Sequence, residues 1–225
     1  MKTYYGLIGA GGYGREVIPL LRSSLENELL AGCAELYFVV EGIVDSITVN
    51  DYSVISLDDF LNLPNSRRFN IAIGNSKVRE RIADTCWKAG STPYSIIAKN
   101  AVIMDANQVG NGAIISPFVT ITSNVKIGSF FHANIYSYVA HDCVIGDFVT
   151  FAPSVKCNGN VIIEDHAYIG TGAVIKQGKS NKPLKIGFGA VVGMGAVVTK
   201  NIPPQVTVIG NPARPLIKDP NVNDA

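Results

Sequence analysis

VGNGAIISPFVTITSNVKIGSFFHANIYSYVAHDCVIGDFVTFAPSVKCNGNVIIEDHAYIGTGAVI, residues Val109 to Ile175, returns one kind of side chain at every sixth position. Val109, Ile115, Ile121, Ile127, Ala133, Val139, Ile145, Phe151, Cys157, Ile163, Ile169 and Ile175 include no polar residue. Two positions earlier in each unit runs a smaller series, from Ala113, Val119 and Val125 through Phe131, Ser137, Cys143, Val149 and Val155 to Val161, Ala167 and Ala173. The residue after the large apolar one is mostly a turn former, as at Gly110, Ser116, Gly128, Asn134, Gly146, Asn158 and Gly170. A period of six matches neither a helix nor an alternating strand. It matches a short strand plus a turn, repeated and stacked, so the expected fold is a parallel β-helix. The phase slips by five after Ile175 and resumes at Ile186, Val192 and Val198. The slip marks an inserted loop, Lys176 to Lys185, with four lysines.

Upstream of the repeat the pattern changes. Residues 3–9 are β-branched and apolar and run into Gly9-Ala-Gly11-Gly12-Tyr13-Gly14-Arg15, after which Val17, Ile18, Leu20 and Leu21 recur at helical spacing. Strand, GxGxxG, helix is the first half of a nucleotide-binding βαβ unit. The plain alternative is a tight strand-to-helix turn with no ligand; a guest at that helix start would be a phosphate, since free N–H groups and the dipole favour anions. Leu36 to Val40 reads as the next strand, with Asp45 placed to meet a ribose hydroxyl. Leu57 to Leu63 reads as a short helix capped by Ser56, and Phe69 to Ile73 as a third strand ending in Gly74-Asn75-Ser76. A helix from Lys77 to Ala89 starts at a capping Ser76, and Tyr94 to Ile97 forms a fourth strand. About four strands in under 100 residues make half a dinucleotide fold, which suits a mononucleotide or nucleotide-sugar better than NAD. The expected architecture is therefore an α/β Rossmann-like domain over 1–97 and a β-helix over 98–202. A tail follows over 203–225, in which Pro203-Pro204 ends the β-helix and Asn211-Pro212 makes a turn.

At 225 residues the chain can bury a real core in either half. Nineteen basic against 18 acidic residues argue against nucleic-acid binding by bulk electrostatics. No apolar run approaches the roughly 20 residues of a membrane span, and the N-terminus reads as a strand entering a turn, not a signal peptide. The four cysteines lack metal or redox spacing; Cys143 and Cys157 fall on inward positions, where a thiol is a small hydrophobe. A cytoplasmic protein is the expectation.

Both halves together resemble the sialic acid O-acetyltransferase-like family of hexapeptide-repeat sugar acyltransferases, and within it the nucleotide-sugar N-acetyltransferases of the bacillosamine and perosamine pathways. The resemblance covers nearly the whole chain. It is carried by the Gly9–Gly14 turn, Asp45, Ala72-Ile-Gly-Asn75 with Arg79, the repeat, and the tail Val208-Ile-Gly-Asn-Pro-Ala-Arg214. Its most specific element is Asn134-Ile-Tyr-Ser-Tyr-Val-Ala-His141-Asp142-Cys-Val-Ile-Gly146. The resemblance implies a left-handed parallel β-helix, a homotrimer, and acetyl-CoA in the groove between neighbouring β-helices. It implies that the N-terminal domain holds the nucleotide through Gly9, Gly11, Gly12, Tyr13, Gly14, Arg15, Asp45 and Asn75.

Acetyl transfer to an amine needs a nitrogen lone pair, a base and donors for the tetrahedral oxyanion. His141 lies two residues past Val139, in the turn of its unit, and is the expected general base. Asp142 is either its orienting carboxylate or a solvated turn residue. Asn134 matches a family position near the acceptor amine, or is a turn former. Gly159 matches a glycine whose N–H points at the thioester carbonyl. Many relatives carry a second histidine nine residues after the base, where this chain has Thr150. By the same resemblance Gly170, Thr171, Gly172, Lys176, Gly193, Asn211 and Pro212 join Thr150 and Gly159 along the acetyl-CoA site. The lysine loop either meets the cofactor phosphates or only solubilises.

Two other chemistries fit worse. γ-type carbonic anhydrases bind zinc on a hexapeptide β-helix through three histidines, but His132, His141 and His166 fall at unmatched phases of the repeat, so no metal is expected. His132 and His166 read as surface or turn residues. An NAD-dependent oxidoreductase leaves the repeat unexplained. Acetyl-CoA turnover separates an enzyme from a non-catalytic β-helix platform, and the acceptor separates N- from O-acetylation, as of sialic acid. The expected reaction is N-acetylation of a nucleotide-linked 4-amino-4,6-dideoxy sugar destined for a surface glycan.

Overall fold

The computed structural model describes residues 2–42, 44 and 48–216; Asp45 lies outside them. The N-terminal domain runs β1 (Thr3–Ile8), α1 (Gly12–Ser24), α2 (Glu26–Leu30), β2 (Ala34–Val40), β3 (Thr48–Val49), β4 (Tyr52–Ser56), α3 (Leu57–Asn62), β5 (Ser66–Ile71), α4 (Ser76–Lys88) and β6 (Thr92–Pro93). Its sheet has the order β3-β4-β2-β1-β5-β6, parallel except for the β3–β4 hairpin. Ser56 caps α3 by accepting from the Asp59 N–H, as its position before an apolar run suggests. The α4 cap differs from the expectation. Asn75, not Ser76, accepts from the Lys77 and Val78 N–H groups, because an Asn side chain reaches both orphan donors from the residue before the helix.

The fourth strand is also corrected. Thr92–Pro93 completes the sheet, whereas Ile96–Ile97 pairs with Ile114–Ile115 and is the first rung of the β-helix. Successive rungs lie 18 residues apart, as in His132↔Thr150 and Thr150↔Tyr168, so three hexapeptides make one coil. The prism has three parallel faces: a first beginning at Ile96–Ile97, a second at Val102–Ile103 and a third at Gln108–Val109. Both inward series form one continuous apolar core. Ser137, its only hydroxyl in the smaller series, is satisfied there: its Oγ donates to the Ala152 carbonyl at 3.0 Å and accepts from the Val155 N–H at 3.1 Å. Cys143 and Cys157 are buried in the same core as free thiols with Sγ atoms 4.0 Å apart.

After Ile175 the inserted loop closes through a Lys179–Lys182 bridge, and Leu184–Ile186 resumes the third face against Val161–Ile163. Pro203-Pro204 does not end the prism. Thr207–Ile209 adds to the first face beside Val191–Val192, with Val208 in the core, and Arg214–Pro215 pairs back antiparallel. Prolines are tolerated at that point because they sit between strands, where no ladder N–H is needed.

The N-terminal domain covers the outside of the first face. Val17, Ile18 and Leu21 of α1 share a core with Ile96 and Ile114, and Ile82 and Cys86 of α4 share one with Phe130. Phe130, Phe148 and His166 occupy left-handed corners one coil apart, with adjacent rings stacked at 5.3 Å. This seam corrects the reading of two histidines as surface or turn residues: His132 is a strand residue at 0% exposure, and His166, although it does sit in a turn, is only 8% exposed. Both lie on outward positions of the β-helix that the other domain covers.

Candidate active site

The glycine turn builds an anion-receptive end. Gly9 has φ +108°, which favours glycine, and a Cβ on Gly14 would collide with the Gly9 carbonyl where strand and helix close up. Among the described residues no side chain caps α1, and no acidic residue lies in its first turn. Open space surrounds Gly11 and Gly12. Among the described residues nothing takes up the first N–H groups of α1, which suits them to an anion.

Below this turn a cavity of about 290 Å³ opens between the domains. Tyr13, Glu16 and Gly74 line it from the N-terminal domain, and His132, Asn134, Thr150, Tyr168 and Thr171 from the β-helix. Asn134 is held by a hydrogen bond from its Nδ2 to the Phe151 carbonyl at 2.7 Å. Tyr13 packs on His132 with ring centroids 5.2 Å apart. Burial, and then the charge of Arg79, hold the His132 imidazole well below its usual range, so it is neutral. Arg79 is the residue that sequence reasoning passed over as a motif match. It is 0% exposed, and burial lowers its guanidinium to about 10.

His141 stands elsewhere, on the edge between the second and third faces. Its Nδ1 donates to Asp142 Oδ2 at 2.8 Å, and both side chains are about half exposed. A carboxylate only accepts, so Nδ1 carries a proton in this bond and Nε2 is the ring nitrogen left for another partner. A Cβ on Gly159 would lie 2.5 Å from Cε1 and Nε2 of that ring, so the imidazole rests on the glycine backbone. The Gly159 N–H donates to nothing among the described residues. Lys176 follows one coil on along the same edge, and Lys176, Lys179, Lys182 and Lys200 line a basic recess of about 550 Å³ beside it.

Gly170, Thr171, Gly172 and Gly193 lie on the edge between the first and second faces, the edge that Asn134 also occupies. A Cβ on Gly170 would meet the Met194 N at 2.6 Å, and one on Gly193 would meet Ile209 at 2.7 Å, so these glycines let adjacent coils close up. Asn211-Pro212 sits at the far end of that edge, between Gly210 and Ala213, which hydrogen-bond Val197. Asn75 is occupied as a helix cap. One chain therefore divides the expected site residues between two edges of the prism. Tyr13 of the glycine turn, Asn134, Thr150 and Thr171 share one cavity, and His141, Asp142, Gly159 and Lys176 do not line it.

Among the described residues no three His, Cys, Asp or Glu side chains come together as a metal site, and no helix is long and apolar enough to cross a membrane. Residues 6–86 match the PglD N-terminal domain model. Over the whole chain, GDP-perosamine N-acetyltransferase of Escherichia coli O157:H7 is 53% identical, across 96% of this chain and 97% of that protein. This chain belongs to the nucleotide-sugar N-acetyltransferases. Among solved structures, WeeI from Acinetobacter baumannii AYE superposes with a TM-score of 0.91 at 53% identity, covering 96% of this chain and 100% of that one. PerB from Caulobacter crescentus, solved with CoA and GDP-perosamine, superposes with a TM-score of 0.81 at 25% identity, covering 96% and 97%. As a nucleotide-sugar N-acetyltransferase the chain is an acyltransferase. The uncapped start of α1 and the His141–Asp142 pair stand apart on its single subunit.

Proposed function

We propose that this chain transfers the acetyl group of acetyl-CoA to the 4-amine of a GDP-linked 4-amino-4,6-dideoxyhexose, with GDP-perosamine as the first substrate to test. One observation carries this reading above the others: the identity shared with the Escherichia coli GDP-perosamine enzyme runs along nearly the whole chain. The diphosphate sits at the start of α1 around Gly9, Gly11, Gly12 and Gly14, with Tyr13 and Arg15 beside it. The sugar enters the cavity past Asn134. The amine nitrogen attacks the thioester carbonyl, the new C–N bond forms, and the C–S bond breaks to release CoA as the thiol. His141 Nε2 takes the amine proton, Asp142 stabilises the ring that then carries two protons, and the Gly159 N–H meets the oxyanion.

The separation of the two edges is resolved by a second copy. In a homotrimer the His141 edge of one subunit faces the Asn134 edge and interdomain cavity of its neighbour, with acetyl-CoA in the groove between. Gly170, Thr171, Gly172, Gly193, Asn211 and Pro212 of one subunit and Lys176 with its lysine loop of the other then flank a single cofactor path. Phe118 and Tyr136, stacked at 5.1 Å and both more than half exposed on the first–second edge, fit such a contact. The enzyme works in the cytoplasm, where both substrates are available, and its product feeds a surface glycan.

A thiol-release assay with acetyl-CoA tests the reading against GDP-, UDP- and dTDP-linked 4-amino sugars and free sialic acid. Turnover on the GDP-linked amine, reduced about 10²–10⁴-fold by His141→Ala, is the expected result. Turnover on sialic acid alone would show O-acetylation instead.

A further inference from the structure

Arg79 spans the seam between the two domains. From α4 its Nη1 donates to the Ile73 carbonyl at 2.7 Å, while its Nη2 crosses to the β-helix and donates to the Phe148 carbonyl at 2.6 Å and to Thr150 Oγ1 at 3.1 Å. No carboxylate pairs with it among the described residues, so its charge is balanced only by dipoles. An arginine has no acceptor, and the polarity of the Thr150 contact is therefore fixed: Oγ1 receives. The Thr150 hydroxyl keeps one proton, and among the described residues it donates that proton to nothing. Thr150 also lines the interdomain cavity, one rung from His132 on the same face and beside Asn134. An oxygen whose lone pair is held from the seam turns its proton toward the open side.

We propose that Arg79 is a positioning residue for the acceptor: by holding Thr150 Oγ1 as an acceptor it makes the Thr150 hydroxyl a fixed donor to a hydroxyl oxygen of the sugar in the cavity. The cavity, about 290 Å³, lies at the low end of ligand pockets and suits a sugar rather than a whole nucleotide. Tyr13, at the proposed diphosphate end of α1, lines the same cavity, which favours the sugar as the partner of Thr150 over the acetyl-CoA that the family resemblance assigns to this position. This assignment rests on the function proposed above, and it makes the contact a determinant of which sugar hydroxyls are accepted.

The test uses the full-length protein and separates KM for the GDP-linked amino sugar from KM for acetyl-CoA. Thr150→Val, which keeps the shape and removes the donor, should raise the sugar-nucleotide KM about tenfold, the equivalent of one hydrogen bond, and leave the acetyl-CoA KM within about twofold. Thr150→Ser should restore most of the loss. Substrates lacking the 2- or the 3-hydroxyl identify the partner: one of them should be about tenfold weaker for wild type but not for Thr150→Val. Arg79→Lys should raise the same KM in wild type and add little in the Thr150→Val background. If Arg79→Lys does not fold, a crystal structure of the wild type with CoA and the GDP-linked sugar decides. Thr150 Oγ1 must then lie within about 3.2 Å of a sugar oxygen. A CoA atom in that place, a Thr150→Val effect on acetyl-CoA alone, or fully additive Arg79 and Thr150 effects would overturn the proposal. Wild-type turnover with an unaffected Thr150→Val overturns it while leaving the proposed reaction standing; absence of wild-type turnover on the amino sugar removes both.

Discussion

Gly159 shows how much chemistry one missing methyl can hold. It has no positive φ to explain it, so the backbone would tolerate alanine; the obstacle is the His141 ring resting on its Cα. Gly159→Ala is expected to push the imidazole off Asp142 and to lower kcat by about 10²-fold, since a misplacement of roughly 1 Å costs that much in a positioned site. The fold should survive, because His141 is half exposed and can swing into solvent. Steady-state kinetics with a parallel thermal melt checks this: an unchanged kcat would mean the ring tolerates the shift. The glycine could be singled out in the sequence only through the family resemblance. Its contact with a side chain 18 positions away becomes visible only once the coil length is known.

At the level of elements, legibility followed the physical period. The inward series was plain because every sixth side chain meets the same dry axis, whatever its neighbours do. The seam was not, because the positions facing the N-terminal domain recur every 18 residues, on one face in three. Ile96, Ile114, His132 and Thr150 form that column, and Phe130 and Phe148 another. Read at the coil repeat, the same sequence marks a covered face and moves His132 indoors. β4 escaped for a different reason: Tyr52-Ser-Val-Ile-Ser56 is short and polar at alternate places only in part, and it is stabilised by pairing with β2 rather than by its own pattern. The α4 cap lies one residue before the serine that the sequence suggests, and this too can be tested. Asn75→Ala leaves two N–H groups without their acceptor and should destabilise the N-terminal domain by about 1 kcal/mol, whereas Ser76→Ala should be nearly neutral. Urea unfolding of the two variants gives the comparison, and equal losses would reject the assignment of the cap.

For the whole molecule, the seam makes domain docking sensitive to acid. His132 faces Arg79 and Tyr13; His166 faces Lys77, Glu80, Asp165 and Arg79. Burial first, and then the neighbouring cations, lower both imidazoles, so the folded protein holds them neutral while the unfolded chain protonates them near pH 6.5. Their contribution is complete above that pH and is lost as pH falls through it. Each contributes a loss of up to about 1.4 kcal/mol per pH unit until its folded pKa is reached. Unfolding free energy should therefore drop between pH 7.5 and 5.5, and His132→Leu should flatten the slope; an unchanged slope would place the protonation elsewhere. The same seam fixes the cavity on one edge of the prism while His141 stays on another, and this division gives the sharpest test of the assembly. Gly11 faces open space at the start of α1, so Gly11→Trp should block the proposed anion end without disturbing the fold, and His141→Ala removes the proposed base. Each variant alone should be inactive. In mixed assemblies of the proposed homotrimer, made in equal proportions, a site is intact when one subunit supplies His141 and its neighbour supplies Gly11, which occurs in about a quarter of sites if each comes from a different subunit. Co-expression should thus restore roughly a quarter of wild-type turnover from two inactive chains. If His141 and the cavity of the same chain served one site, every site in a mixed trimer would carry a defect and turnover would stay at background. The two outcomes differ by orders of magnitude, and the measurement needs only the thiol-release assay on co-purified protein.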